Sequence, residues 1–190
     1  TREVDAAIDN LQLKPLTLIP RRGVQEIRKF CENRNSFLFG VEEKQAVLKS
    51  SESLLVIRLM EGDFPDFQGL LDSLTRENTI LIDRNRFLES LKRINLFTDD
   101  MFHVIKVEVK GTTMVLTSQN ADFGSARGEF EVEYDGEPLM LGFNCRYFID
   151  SLQVMEGNTV GASINSQESP CLITSEEDKG FLSVIMPMKL

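Results

Sequence analysis

The sequence predicts an α+β protein built from repeated units, each a short helix followed by an antiparallel meander, with the helices gathered on one face of the sheets. Three observations carry this reading. Apolar residues recur at helical spacing in three stretches, alternating apolar–polar runs bounded by Gly-, Ser- and charge-rich turns fill the segments between them, and two of the three stretches match at a nearly constant offset.

The segment LTLIP (16–20) alternates like a strand into a proline, and RRGVQEIRKFCEN then places Val24, Ile27, Phe30 and Cys31 on one helical stripe with the charges opposite. Three strand-like runs follow at 36–42, 44–50 and 53–60, and EGDFPDF (61–67) closes the unit as a loop. A second series starts near residue 78. NTILIDR reads as a strand, and NRFLESLKRINLF puts Phe87, Leu88, Leu91 and Ile94 on one helix face. In VIKVEVK (104–110), Ile105, Val107 and Val109 alternate with charged residues, and Lys110-Gly111 turns the chain into TTMVLTSQ, which makes a half-buried hairpin. GEFEVEY (128–134) points Phe130, Val132 and Tyr134 inward, and Asp135-Gly136 leads into PLMLGF. In NCRYFIDSLQVM, Cys145, Phe148, Ile149 and Leu152 form the third stripe, before strands NTVGASINS, SPCLIT and FLSVIMPM, with EEDKG (176–180) as a hairpin turn.

LIPRRGVQEIRKF, its three strands and FPDF match GFNCRYFIDSLQV, its three strands and MPMK. Pro20 aligns with Asn144 (144 minus 20 is 124) and Pro65 with Pro187 (187 minus 65 is 122). An offset this constant marks a duplicated structural unit.

Composition narrows the function. With 190 residues, 42% of them hydrophobic, the chain can bury one large core or two small ones. The net charge of -9 excludes a protein that holds nucleic acid by bulk attraction. Residues 1–67 carry 10 Lys and Arg against 11 Asp and Glu, and residues 68–190 carry 11 against 19, so any basic surface must be local. Cys31, Cys145 and Cys171 are far apart and form no CxxC, which supports neither a disulfide framework nor a zinc site. No apolar run approaches the roughly 18 residues of a membrane span, and the first residues lack a basic and an apolar signal region, so a cytoplasmic protein without a membrane partner is expected. There is no phosphate loop, HExxH, GxSxG or EF-hand pattern, and the sole histidine, His103, falls in a predicted strand with a structural or surface role. No enzyme activity, metal or cofactor is expected.

The ending VIMPMKL (184–190) is unusual. A last apolar strand is ordinarily core, but Pro187 cannot donate to a ladder and marks an edge or bulge, which leaves Met186 and Met188 as adaptable docking side chains.

The combination of LIPRRGVQEI, EGDFPDF, LGFNCRYFIDSL and terminal MPMKL resembles the bacterial DNA polymerase III β subunit, the sliding-clamp family, in order and over essentially all 190 residues. The resemblance implies a DNA-clamp fold with curved sheets outside and helices on the inner face. It makes residues 1–70 the C-terminal half of the middle clamp domain and 71–190 the third domain of a longer protein whose Gly-His-Arg-Leu segment lies upstream. The family's peptide groove would map to Pro65, Leu70, Asn144, Tyr147, Val184, Met186, Pro187, Met188 and Lys189, with Gly69 where some clamps have a basic residue. It would receive the DNA polymerase III α subunit, the clamp loader and other proteins carrying the clamp-binding motif. Duplex DNA, encircled without sequence preference, would face Arg21, Arg22, Arg28, Lys29, Arg84, Arg86, Lys92, Arg93 and Arg146, all at or in the predicted helices. Leu96 and Phe97 would sit at the head-to-tail joint of a homodimeric ring; this chain alone is expected to form no closed ring and to self-associate at high concentration. The alternative is an acidic α+β interaction module unrelated to replication, with the tail as core.

Overall fold

The computed structural model describes residues 17–32, 34–64, 66–72, 74, 78–99, 101–166 and 168–190, so Pro65 lies outside the described residues. The chain divides into two compact units, the first ending at Phe67 and the second running from Gln68 to Leu190.

In the first unit, helix α1 (Arg21–Glu32) packs on a sheet of order β1-β2-β3, formed by Leu38–Val41, Gln45–Lys49 and Leu54–Arg58, all antiparallel. Phe30, Ala46, Leu48 and Ile57 form its small core. The helix seats differently from the predicted stripe, because Val24 is exposed and Gly23 is buried. A Cβ on Gly23 would meet Ile57 Cγ2 at 2.6 Å, so the first turn lies so close to β3 that only glycine fits, and the helix rotates Val24 outward. Arg34 ties the helix end to the hairpin: Nη1 donates to the Phe30 carbonyl at 2.7 Å, Nη2 to Ser53 Oγ at 2.9 Å, and the guanidinium lies 4.2 Å over the Phe30 ring. Residues 17–20 are not a strand as read from the sequence; the Met60 N–H donates to the Leu18 carbonyl at 2.9 Å. The predicted loop 61–67 gives way at its end to a short helix, α2 (Phe67–Asp72), which buries none of its side chains.

The second unit contains β4 (Thr79–Asp83), α3 (Arg84–Asn95), β5 (Val104–Lys110), β6 (Thr113–Asn120), β7 (Gly124–Glu131), β8 (Leu139–Asn144), α4 (Cys145–Val154), β9 (Thr159–Ser163), β10 (Cys171–Thr174) and β11 (Ser183–Ile185). This is one strand–helix–meander pattern written twice, β4-α3-β5-β6-β7 and β8-α4-β9-β10-β11. Asp83 and Asn144 occupy equivalent places, 61 residues apart (144 minus 83), as do Phe87 and Phe148 (148 minus 87). Each cap stops its strand and starts its helix by accepting a backbone N–H, Arg86 to Asp83 at 2.8 Å and Arg146 to Asn144 at 2.9 Å.

The repeats exchange their first strands. The sheets run β7-β6-β5-β8 and β11-β10-β9-β4, so each meander is completed by the other repeat. Each repeat's tip then returns to its own first strand, as bridges Leu81–Glu133 and Gly142–Met188. The helices pair antiparallel. Arg84 Nε donates to the Leu152 carbonyl at 2.8 Å at one end, and Cys145 Sγ to the Leu91 carbonyl at 3.3 Å at the other. Between helices and sheets, Phe87, Phe143 and Phe148 meet edge to face, with centroids 5.5 and 5.1 Å apart, inside one continuous core.

Candidate functional site

The C-terminal segment crosses between the two sheets of the second unit. β11 ends at Ile185, which pairs with Cys171 of β10, and three residues later the Met188 N–H donates to the Gly142 carbonyl of β8 at 2.8 Å. Met186 and Pro187 span the gap. Pro187 has no N–H to leave unpaired and holds Met186 in extended backbone, so the sequence suits a strap better than a ladder. Met186 is 57% exposed, whereas Pro187 and Met188 are half-buried. Beneath and beside the strap runs an open groove of about 510 Å³, lined by Met140, Leu141, Gly142, Glu168 and residues 186–190.

Of the residues matched to the peptide groove, Met186, Pro187, Met188 and Lys189 line this groove. Val184 is half-buried in β11 opposite Leu172. Tyr147 is 58% exposed and is not part of the lining; it lies one turn before Ser151, whose hydroxyl is 2.8 Å from that of Ser183, and so stands on the α4 face that meets β11. Asn144 is committed elsewhere: besides capping α4, its Nδ2 donates to the Phe102 carbonyl at 2.8 Å. Leu70 is an exposed residue of α2. The sequence does not mark Met140, Leu141, Gly142, Glu168 and Leu190 as lining. The available signal was the glycine inside PLMLGF, since a strand-interior glycine often marks close approach of another backbone, with Met140 on the same face two residues away.

The basic residues fall on helices as predicted by their spacing. Arg21 and Arg22 project from the start of α1 without an ion-pair partner among the described residues, while Arg28 and Lys29 pair within the helix with Glu32 (3.4 Å) and Glu26 (2.9 Å). Arg86, Lys92, Arg93 and Arg146 are exposed on α3 and α4, and the antiparallel pairing sets Arg146 at the α4 end that meets the last turn of α3, which carries Lys92 and Arg93. Arg84 is half-buried, and its Nε is taken up by the helix–helix contact.

Leu96 and Phe97 lie in the turn that ends α3, with Leu96 73% exposed and Phe97 partly so. The turn is firmly built. Asp99 Oδ1 accepts the Met101 and Phe102 amides, and the Phe102 N–H above all holds this carboxyl below its usual range. His103 is not in a strand: it precedes β5 with φ of 49° and is buried. Thr98 Oγ1 donates to the Asn95 carbonyl at 2.8 Å and therefore accepts from His103 Nδ1 at 3.0 Å, which places a proton on Nδ1. Burial pushes the thiols of Cys145 and Cys171 up to about 12, far from a nucleophile or metal ligand at neutral pH. Among the described residues no cluster of three or more His, Cys, Asp and Glu could hold a metal, and no helix is long and apolar enough to cross a membrane.

Two strand–helix–meander repeats that exchange their first strands beneath an antiparallel helix pair define a clamp-type domain. Solved structures agree: the DNA polymerase sliding clamp from Caulobacter crescentus superimposes with a TM-score of 0.82 at 25% identity, over 92% of this chain and 46% of that one. The DNA polymerase III subunit beta from Pseudomonas aeruginosa superimposes at 0.81 and 22% identity, over 92% and 48%, a likeness of fold. Residues 75–189 match the family described as DNA polymerase III beta subunit, C-terminal domain, and the chain belongs to that family. Similar curated proteins are the beta sliding clamps of Chlamydia pneumoniae (29% identical, 91% of this chain, 46% of that protein) and Chlamydia trachomatis serovar D (30%, 91% and 41%). The chain thus spans about half the length of the relatives it matches, and family membership removes the alternative of an unrelated interaction module.

Proposed function

We propose that this chain serves as part of a DNA sliding clamp, a non-catalytic processivity factor of the cytoplasm that encircles duplex DNA and tethers replication proteins to it. The observation that carries the reading is the strap: a Met-Pro-Met segment pinned at both ends, with Met186 exposed above an open groove. Exposed, polarizable methionines beside a few polar groups suit an apolar peptide anchor and tolerate several partners. The proposed ligand is an extended peptide of the Gln-Leu-x-Leu-Phe type, borne by the DNA polymerase III α subunit, the clamp loader and other partners. Val184, Met186, Pro187, Met188 and Lys189 form one side of its site, with Tyr147 and Asn144 the flank along α4 and Leu70 a further contact.

Sequence-independent DNA contact is assigned to Arg21, Arg22, Arg28, Lys29, Arg86, Lys92, Arg93 and Arg146, with Arg84 beside them. Their placement on helices supports local positive surfaces within each unit of a chain of net charge -9. Leu96 and Phe97 are assigned to the joint of a homodimeric ring, for which an exposed leucine on a rigid turn is a suitable anchor.

Fluorescence anisotropy of a labelled Gln-Leu-x-Leu-Phe peptide tests the central assignment. Saturable binding, even near ~100 μM or about 5.5 kcal/mol, weakened by both Met186→Ala and Tyr147→Ala, is the expected result. Equal affinity for all three proteins would place the peptide elsewhere.

A further inference from the structure

Each repeat of the second unit sends its tip across to its own first strand, and the two crossings differ in what lies beneath them. In the first repeat, Leu81 and Glu133 exchange two backbone hydrogen bonds of 2.9 Å each. In the second, Met188 donates one bond of 2.8 Å to Gly142, the residue that stands where the first repeat has Leu81. A Cβ at position 142 would meet the Met188 carbonyl oxygen at 2.7 Å and the Leu190 side chain at 2.9 Å. The end of a side chain can swing aside, but a backbone oxygen moves only with its strand. Glycine inside a strand is otherwise unfavourable, since it adds chain entropy and packs nothing. Here it lets the tail lie directly on β8.

We infer that Gly142 is a positioning residue for partner docking: it is the seat that holds Met188–Leu190 on β8 and so fixes the path of Met186 and Pro187 along the groove. This rests on the reading of the groove as a peptide site. The reasoning is one of span. Ile185 is held on β10 and Met188 on β8, and between them the proline ring fixes its own φ and restricts Met186 to extended backbone. With both ends pinned, Met186 has one path. With Met188 lifted by a methyl group at 142, Met186 and Pro187 lose their anchor on β8, and the docking surface must be ordered at the moment of binding, which lowers affinity.

The test compares Gly142→Ala with Gly161→Ala, a strand-interior glycine of β9 whose Cβ would meet Thr174 Oγ1 at 3.2 Å and no tail residue. Two readouts are taken on the 190-residue chain: hydrogen exchange at the Met188 amide and anisotropy with the Gln-Leu-x-Leu-Phe peptide. Gly142→Ala is expected to speed Met188 exchange and raise the peptide Kd, each about tenfold, with the β5 amides still protected. Gly161→Ala is expected to move neither. Unchanged exchange at Met188 in Gly142→Ala overturns the seat, and a released Met188 with unchanged Kd overturns its role in docking. If the unsubstituted chain binds no peptide, the docking role falls together with the proposed function, while Met188 exchange still decides the seat. Should Gly142→Ala expose the β5 amides, deletion of Leu190, which leaves β8 intact, replaces it with the same expected and overturning results.

Discussion

Both repeats of the second unit return to their own first strand, but the first does so through two backbone bonds between Leu81 and Glu133, whereas the second does so through one, from Met188 to Gly142, with an open groove beside it. The comparison separates what the fold requires from what a function has been fitted to. Both repeats need a capped helix, a buried phenylalanine one turn in, and a tip that returns to the first strand. Only the second puts glycine under that tip and Met-Pro-Met along it.

The largest expected effect falls on what the repeats share. Phe87 and Phe148 are equivalent, each 2% exposed, and their rings touch. Phe87→Ala and Phe148→Ala are each expected to cost about 3–5 kcal/mol in urea unfolding, with the double variant losing less than the sum because the two share a contact. Strict additivity would show that the repeats do not form one core.

The next effect is confined to the second repeat, which carries Cys145 where the first has Arg84, and Cys171 in β10. Both thiols titrate near 12 when folded, against about 9 when exposed. The unfolded chain therefore loses these protons first. The thiols' contribution is flat below pH 9 and falls as pH rises from 9 to 12, by about 1.4 kcal/mol per pH unit for each. Cys145→Ala and Cys171→Ala should each flatten that slope in urea titrations at stepped alkaline pH.

The caps sharpen the comparison further. Asp83→Ala is expected to cost about 1 kcal/mol and Asn144→Ala somewhat more, about 1.5–2, because Asn144 also holds the Phe102 carbonyl and with it the turn that bears Leu96 and Phe97. Equal costs would remove that second role. The smallest effect belongs to α1, where the exposed pair Lys29–Glu26 should contribute less than about 0.5 kcal/mol, measured as Lys29→Ala.

Much of the fold was legible because local spacing and turn chemistry agree. The stripes Phe87, Leu91, Ile94 and Cys145, Phe148, Leu152 and the hairpin 104–120 follow from period and residue type alone. Val24 misled because a helix's rotation is set by its closest approach, and Gly23 made that approach against Ile57. The 61-residue repeat was hidden because its chemistry is kept while its identities are not: over β4-α3 and β8-α4, Phe87, Ser90 and Leu91 match Phe148, Ser151 and Leu152, but Asp83 answers to Asn144 and Leu81 to Gly142. In the candidate site, Met186 to Lys189 stood out by composition. Gly142 and Met140 did not, since sheet pairing brings them to the tail across some 45 residues of chain, and neither did Glu168, in the connection between β9 and β10; no local pattern encodes such contacts.

The most direct measurement is a map of backbone amide shifts on the ¹⁵N-labelled chain as unlabelled Gln-Leu-x-Leu-Phe peptide is added. Shifts that saturate together at residues 184–186 and 188–190, at Tyr147 and at Gly142, with the basic faces of α1 and α3 unmoved, are the predicted result. Saturating shifts centred on β7, or on the sheet β1-β2-β3, with the strap silent, would contradict it.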